Sequence, residues 1–478
     1  MKRIISIVLT LCMVFCLAAC GSSGNEVVIN DAPAPGPAVG RQTYRLASLS
    51  IPASVHFPAE ADFYKNGSFD SAAYSKAWQE WSEQTDLKHK LADSYKGKLD
   101  SYLFLSSEYL KGMDGKNVVC SPVNIYFALA ILAECSRGNT QAEILNVLGA
   151  KSIEELRKTA CALWEQTYYD SGIYKTDLAS SVWLNKEVSG VQLQFDKETL
   201  GALAQYYYAA AYSGDAADKD FSRAFKGWLD EHTGGLLKDR IESMEDFKDY
   251  LVAAIATTVH FKASWQDEFE KTATYEDVFH ARSGDSRVSF MRRVDAFMTC
   301  KGNGFTAAFI PFNVAGGMWI FLPDEGVSPE QLNINSSLTG AVLCSADGRQ
   351  CSDSDGKPLY KYDHVQLDVS LPKFDVDAEL DLMGMLRNMG IHDAFDPQKA
   401  DLSGLVSNVQ AYVTSASHAA RVKIDEEGCE AAAYTVISVD ALGWMEQKPL
   451  EFKVDRPFAF AITGSDGLPL FTGIVNEP

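Results

Sequence analysis

The chain has 478 residues, of which 46% are hydrophobic and 22% charged, which is typical of a globular protein with one large domain or two or three smaller ones. The formal net charge of −21 disfavours a nucleic acid or another polyanion as a partner, because no run of Lys and Arg offsets it locally.

The first twenty residues predict export. A charged start, MKR, precedes an apolar run over residues 4–17 and the small-residue stretch LAACG, which is the order of a secretory signal. LAAC resembles a bacterial lipobox, which implies that Cys20 is acylated and becomes the mature N-terminus; an ordinary secretory signal is the alternative. We expect residues 1–19 to be a lipoprotein signal peptide and the mature protein to be exported, extracellular and lipid-anchored to the outer face of the bacterial cell membrane.

Two segments precede the regular part of the chain. Residues 20–45 are rich in Gly, Ser and Pro and predict a flexible tether. Residues 46–93 form an N-terminal extension with a possible amphipathic helix around AAYSKAWQEWSEQ, and no pattern in this extension indicates a role. No later run approaches the roughly 18 apolar residues of a membrane-spanning helix.

Helical and strand patterns become regular from about residue 94. SYLFLSSEYL has helical apolar spacing, and SPVNIYFALAILAE predicts a buried helix in which Ser121 is the cap and Pro122 the first-turn proline. Strands are predicted at 178–185, 251–261, 305–312, 317–323 and 365–374. Helices and strands come in blocks, which favours an α+β fold with mixed or antiparallel sheets.

The cysteines do not predict a disulfide scaffold. Seven follow Cys20, an odd number at low density. Cys344 and Cys351 flank a polar loop, where one surface disulfide and two unpaired residues are equally open interpretations.

The sequence contains no recognisable catalytic motif. The chain lacks GxSxG, HExxH, a phosphate-binding Gly-rich motif and CxxC. His418, in AYVTSASHAARVKI, is interpreted as a hydrogen-bonded core histidine because no Ser or Cys nucleophile in a suitable turn lies near it. We expect no catalysis, no cofactor and no metal.

Several segments, in order over residues 95–478, resemble the serpin superfamily. They are NVVCSPVNIYFALAILAECSRGNTQAEI, FKGWLDEHTGGLL, TTVHFKASWQDEF, MWIFLPDE, VSLPKFDVD, LRNMGIHDAFDPQKADLSG and DRPFAF…PLFTGIVNEP. EEGCEAAAYT then resembles the family's hinge signature E-E-G-T-E-A-A-A-A-T. The resemblance implies a serpin domain over 94–478, with an α+β fold, three β-sheets, about eight or nine helices and an exposed reactive loop near the C-terminus.

The resemblance also implies suicide inhibition of endopeptidases of the serine type, with the cysteine type left open. The protease cuts the loop, and the N-terminal arm of the loop inserts as a new strand into the largest sheet. The implied hinge and insertion residues are Glu426, Glu427, Gly428, Cys429, Glu430, Ala431, Ala432, Ala433, Tyr434 and Thr435.

The loop alternates in a way that suits insertion, independently of the resemblance. One set of alternate residues is small or apolar and carries no charge: Cys429, Ala431, Ala433, Thr435, Ile437 and Val439. The other set carries both charges and the bulky tyrosine: Glu430, Ala432, Tyr434, Val436, Ser438 and Asp440. Because strand side chains alternate between faces, the first set suits a core face and the second suits solvent.

Two departures from the family occur in the hinge. Cys429 replaces the usual Thr, and we expect it to be surface-accessible, so that its oxidation could block inhibition. Tyr434 replaces Ala but falls in the solvent set.

Counting the family's spacing from Gly428 implies the bond Leu442–Gly443 as the site of cleavage. An apolar Leu442 favours a chymotrypsin-, elastase- or subtilisin-like protease as the partner. Counting back from Asp455 would favour a residue near Glu446, because the C-terminal side of the loop is long.

The resemblance further implies a polar cluster that controls opening of the main sheet. The matching positions are Ser121, Asn124, Thr257 and His418, with amide and hydroxyl exchanged relative to the family, and a hydrogen-bonded trio of the last three survives such an exchange. Trp265 is placed at the breach, the end of the sheet where the loop first enters.

Three classes of function remain. The first is a lipid-anchored, monomeric protease inhibitor, and the second is a non-inhibitory serpin-fold binding protein. The third, a solute-binding or hydrolytic lipoprotein, is opposed by the ordered motifs and by the missing nucleophile. The net acidity argues against a heparin-type activator site.

Overall fold

The computed structural model describes residues 44–46, 49, 51, 57–65, 68–95, 115–170, 174–332, 362–429 and 449–478. The helices in these ranges are α1 (Ser71–Tyr95), α2 (Pro122–Cys135), α3 (Gly138–Val147), α4 (Ile153–Thr167), α5 (Lys197–Tyr206), α6 (Lys219–His232), α7 (Lys238–Ser243) and α8 (Met383–Asn388). The strands are β1 (Tyr64–Lys65), β2 (Ser68–Phe69), β3 (Val118–Cys120), β4 (Tyr169–Asp170), β5 (Tyr174–Asn185), β6 (Glu187–Val188), β7 (Val191–Gln192), β8 (Ala209–Gly214), β9 (Ala253–Ser264), β10 (Tyr275–Ala281), β11 (Gly284–Gly302), β12 (Phe305–Pro311), β13 (Gly317–Pro323), β14 (Tyr362–Pro372), β15 (Phe374–Asp381), β16 (Ser417–Ile424), β17 (Gly428–Cys429), β18 (Leu450–Lys453), β19 (Phe458–Thr463) and β20 (Pro469–Val475).

The strands predicted from apolar runs form as β5, β9, β12, β13 and β14. The amphipathic pattern in the N-terminal extension forms α1, which is longer than predicted. The helix predicted over SYLFLSSEYL and the pair Cys344 and Cys351 lie outside the described residues. Within the described ranges, no helix combines the length and apolarity needed to cross a membrane.

Two large sheets organise the fold. One has nine strands in the order β18-β14-β11-β12-β13-β19-β20-β3, with β10 added to β11. The other has seven strands in the order β15-β16-β17-β9-β5-β4, with β8 parallel to β5. The predicted α+β class with three main sheets is confirmed. Two of these three sheets are joined into the nine-stranded sheet by the long strand β11, because its first half pairs with β10 and its second half pairs with β14 and β12.

The core lies between the sheets and around α2. This helix is apolar on nearly all sides, as predicted, and it contacts β9 of one sheet and β20 of the other. Pro122 begins it at the first turn, but the Ser121 hydroxyl makes no capping bond, contrary to the expectation. The seven-stranded sheet is covered on its other face by α6, where Trp183 packs against Phe221 and Phe225.

The N-terminal extension packs against the rest of the fold. Lys88 of α1 is buried, and its ammonium donates to the main-chain carbonyls of Glu165 at 2.8 Å and Tyr168 at 2.6 Å, at the C-terminal end of α4. Lysine satisfies unpaired carbonyls at such a helix end and interacts favourably with its dipole. Tyr44, at the end of the predicted tether, and Leu46, at the start of the extension, form main-chain hydrogen bonds with β8, so this part of the chain covers the outer edge of that strand.

Candidate functional site

The start of the predicted insertion tract is already a strand of the seven-stranded sheet. Gly428 and Cys429 form β17 between β16 and β9. Cys429 lies opposite Ala263 of β9 and Ile424 of β16. Over their described residues, β16 and β9 each pair with β17 and not with one another. The strand order therefore places the hinge where a full inserted strand would begin.

Gly428 is required where the chain enters the sheet. Its φ is +149°, a conformation that residues with a Cβ rarely adopt. A Cβ at this position would lie 2.2 Å from the carbonyl oxygen of Ala263. Only glycine lets the hinge approach β9 this closely.

Glu426 anchors the hinge from the other side. The residue is 6% exposed, and its carboxylate lies 2.8 Å from the Lys373 ammonium and accepts a hydrogen bond of 2.9 Å from the Thr274 hydroxyl. Burial alone would raise the pKa of this carboxyl, but the hydrogen bonds from Lys373, the main chain and Thr274 hold it below its usual value. Glu426 is therefore ionised and paired at neutral pH.

Trp265 closes the end of the sheet above the hinge. Its side chain is buried and stacks on Phe312 with ring centroids 4.9 Å apart. The indole N–H donates to the Asp425 carbonyl at 2.9 Å, and the main-chain N–H donates to the Glu427 carbonyl at 3.0 Å. Trp265 thus holds the residues just before β17, and its role at the breach stays a prediction.

Comparison with known proteins identifies this arrangement. A family profile described as "Serpin (serine protease inhibitor)" matches residues 103–478, which is more than half of the chain. The chain belongs to the serpin family. Protease inhibition is the general function that this membership supports.

The serpin is similar along most of its length to relatives from distant organisms. It is 28% identical over 396 residues to Serpin-Z2B of Oryza sativa subsp. japonica, covering 76% of this chain and 92% of the rice protein. It is 27% identical over 385 residues to "Serine protease inhibitor" of Cyanea capillata, covering 78% and 96%. Among solved structures it is similar to the thermophilic serpin tengpin in the native state, with a TM-score of 0.68, 25% identity and coverage of 80% and 94%.

Cys429 is buried in this serpin, which corrects the expectation of a surface thiol. Its side chain is 4% exposed and belongs to the main apolar core. The pairing of Cys429 with β9 and β16 turns its side chain inward. Because the thiol is buried, its oxidation is not expected to block inhibition while the hinge keeps this position.

The predicted polar cluster comes together, but in a different pattern. His418 is 7% exposed, and its Nε2 accepts a hydrogen bond of 3.0 Å from the main-chain N–H of Ser121. The Thr257 hydroxyl donates to the main-chain carbonyl of Asn124 at 2.9 Å. The four residues thus form two pairs through main-chain atoms, rather than one side-chain trio. The pairs join β16 and β9 to the start of α2, and the conformational role of the cluster stays a prediction.

Part of the predicted site lies outside the described residues: Cys20, Glu430, Ala431, Ala432, Ala433, Tyr434, Thr435, Leu442 and Gly443. Lys373, the partner of Glu426, was not predicted from the sequence. The only sign of it in the sequence is a lone lysine after the apolar stretch VSLP, and it lies 53 positions before the acid that it binds.

Replacing Glu426 by glutamine is expected to loosen the hinge. The amide keeps its size but loses the charge that pairs with Lys373, so the uncut protein should lose about 1–3 kcal/mol of stability. The midpoint of urea unfolding of the uncut protein at pH 7 measures this. The matched control is Glu427→Gln, whose partner Lys271 is 68% exposed, and it should leave the midpoint unchanged. Equal midpoints for both variants would contradict the anchoring role of Glu426.

Proposed function

We propose that this serpin is a suicide inhibitor of serine-type endopeptidases with a preference for apolar residues. The target cuts the loop at Leu442–Gly443, and the arm that begins with Cys429 then inserts between β16 and β9. The proposal rests on the position of β17. Its two residues lie between β16 and β9, where the first two residues of the inserted strand would lie.

The register of β17 supports insertion of the small, uncharged set toward the core. The strand is antiparallel to both neighbours, so each step forward in the loop is one step back in β9 and β16. Ala431 would then lie opposite Phe261 and Val422. These partners are 3% and 2% exposed and belong to the main core. A small side chain fits between such neighbours, and a large or charged one does not.

The next positions on the same face follow the same rule. Ala433 would lie opposite Val259 and Ala420, both buried in the main core. Thr435 would lie opposite Thr257 and His418, so its hydroxyl would arrive beside the polar cluster. The polar residue of the inserting set therefore meets the polar residues of the sheet.

The opposite face of the inserted strand also finds suitable neighbours. Tyr434 would lie opposite Thr258 and Ala419, two small residues that leave room for its ring. Val436 would lie opposite Ala256, which packs in the apolar cluster under α6. The alternation alone predicts that this whole set faces solvent, whereas α6 covers part of that face. This coverage explains an apolar valine in the second set.

Insertion has enough free energy to drive a large transition. Roughly ten new ladder hydrogen bonds at about 1 kcal/mol each, with burial of Ile437 and Val439 at about 1.5–3 kcal/mol each, give on the order of 10–15 kcal/mol. Such a gain is released only after cleavage if the uncut state is held kinetically.

The test is incubation of the full-length protein in detergent with chymotrypsin, elastase and subtilisin, followed by denaturing gels. We expect a covalent band that survives denaturation and a released C-terminal peptide that begins at Gly443. Cleavage without such a band, and without a rise in the melting temperature of the cut protein, would instead favour a non-inhibitory serpin-fold binding protein.

We also propose that Cys20 carries the lipid that anchors the serpin outside the cell. The lipobox-like LAAC supports this, and the tether that follows would hold the inhibitor away from the bilayer. Metabolic labelling with palmitate should mark the protein, and Cys20→Ala should remove the label. Undiminished labelling of that variant would refute the anchor.

A further inference from the structure

Two lysines that form no ion pair within the described residues flank the line along which the loop would insert. Lys262 lies on β9 and Lys423 on β16, and neither forms an ion pair with a residue in the described ranges. Asp375 lies opposite Lys423 on β15, but both of its carboxylate oxygens are bound by Arg421 at 2.8 Å. Lys423 therefore faces a carboxylate that is already occupied.

The surroundings of Lys262 add to the positive charge. Its directly opposed neighbour on β5 is another lysine, Lys175, and like charges in such a pair destabilise a ladder. Lys175 forms ion pairs with Asp177 at 3.7 Å and with Asp170 at 3.9 Å, whereas Lys262 forms an ion pair with neither aspartate. All three lysines lie on the face of the sheet that points away from the main core. Among the described residues, none with a negative charge lies between Lys262 and Lys423 in this row of the sheet.

The register supplies that charge. The described part of β17 ends at Cys429, opposite Ala263 and Ile424. If β17 lengthens by one residue on insertion, that residue is Glu430, and the register would set it opposite Lys262 on one side and Lys423 on the other. Side chains directly opposite on an antiparallel pair have Cβ atoms about 4.5–5.5 Å apart, so one glutamate can reach both ammonium groups.

We propose that Lys262 and Lys423 form a carboxylate-binding site in the sheet and that Glu430 of the inserting loop occupies it. This inference rests on the proposed function, and it assigns Glu430 a positioning role in insertion. A slip of one residue would turn every loop side chain to the opposite face and move Glu430 into the core. The site therefore favours the one register in which the small set faces inward.

The experiment compares uncut and loop-cleaved protein by melting temperature for the wild type, Glu430→Gln and the double variant Lys262→Gln/Lys423→Gln. After cleavage, each variant should melt about 2–4 °C below the cleaved wild type, with a smaller difference at high salt. Combining all three substitutions should add little to either loss, because both remove the same contact. The uncut forms should keep their melting temperatures, or gain where Lys262 no longer opposes Lys175.

Matched controls are Glu451→Gln and Lys301→Gln, which remove exposed charges outside this sheet and should change neither form. Charge reversal is a second test. Glu430→Lys should lower the melting temperature of the cleaved protein further, and adding Lys262→Glu and Lys423→Glu to that variant should restore it. If cleavage stabilises the wild type and Glu430→Gln equally, the inference is wrong and the proposed function stands. If cleavage leaves the wild type unchanged, loop insertion itself fails, and the inference fails with it.

Discussion

Ala433→Glu is expected to convert the inhibitor into a substrate that the protease cuts and releases. The register of β17 carries this residue to the core face, opposite Val259 and Ala420, which are 8% and 4% exposed. A carboxylate buried there without a partner costs about 3–5 kcal/mol, which slows insertion relative to hydrolysis of the acyl intermediate. On denaturing gels with a chymotrypsin-like protease, the covalent band should fall at least tenfold while loop cleavage continues.

The neighbouring residue gives a matched control for this prediction. Ala432→Glu introduces the same side chain on the opposite face, opposite His260 and Arg421, where a carboxylate has a cationic neighbour. It should retain most of the covalent complex. Equal loss of the complex by both variants would show that charge anywhere in the loop is harmful, and the assignment of faces would be wrong.

The uncut serpin is expected to lose stability as the pH falls from about 6.5 to about 4, through His418. Burial lowers the pKa of this histidine from its usual 6.5 to about 4, and its Nε2 must be unprotonated to accept the hydrogen bond from Ser121. In this pH window the unfolded chain binds a proton that the folded chain does not. The stability that neutral His418 permits is therefore present above 6.5 and lost below it, by about 3 kcal/mol over the whole range.

The measurement is the urea midpoint of the uncut protein as a function of pH, for the wild type and for His418→Gln. Carboxylates also contribute to acid destabilisation, so the difference between the two curves isolates the histidine. The gap between them should close as the pH falls toward 4. The exposed His364 is the matched control, since His364→Gln should give a curve parallel to the wild type. A constant gap for His418→Gln would contradict the role of this histidine.

Much of the fold was predictable because it depends on local patterns. The apolar runs that become β5, β9, β12, β13 and β14 were recognisable since each buries about half of its described residues or more. The helix α2 was predictable from its continuous apolar surface and Pro122. The alternation of small and charged residues after Gly428 was likewise visible, because side chains in a strand alternate whatever they pack against.

Which distant residues meet at the hinge depends on the packing of the whole fold and is not visible in local patterns. Lys373 and Glu426 are paired because β15 begins beside the end of β16, and no spacing in the chain indicates this. The burial of Cys429, expected at the surface, follows from its place between two strands that are separated by more than 150 residues. The same registers bring Lys262 and Lys423 to the two sides of one position.

For the polar cluster, too, the participating residues could be predicted but their hydrogen bonds could not. The resemblance to the serpin family indicated which residues gather there, namely Ser121, Asn124, Thr257 and His418. The structure decided which atoms bond, and it used main-chain groups of Ser121 and Asn124 in place of a side-chain trio. Local periodicity specifies the face on which a side chain lies, but strand order and register specify what it touches, and these depend on the free energy of the whole packed core.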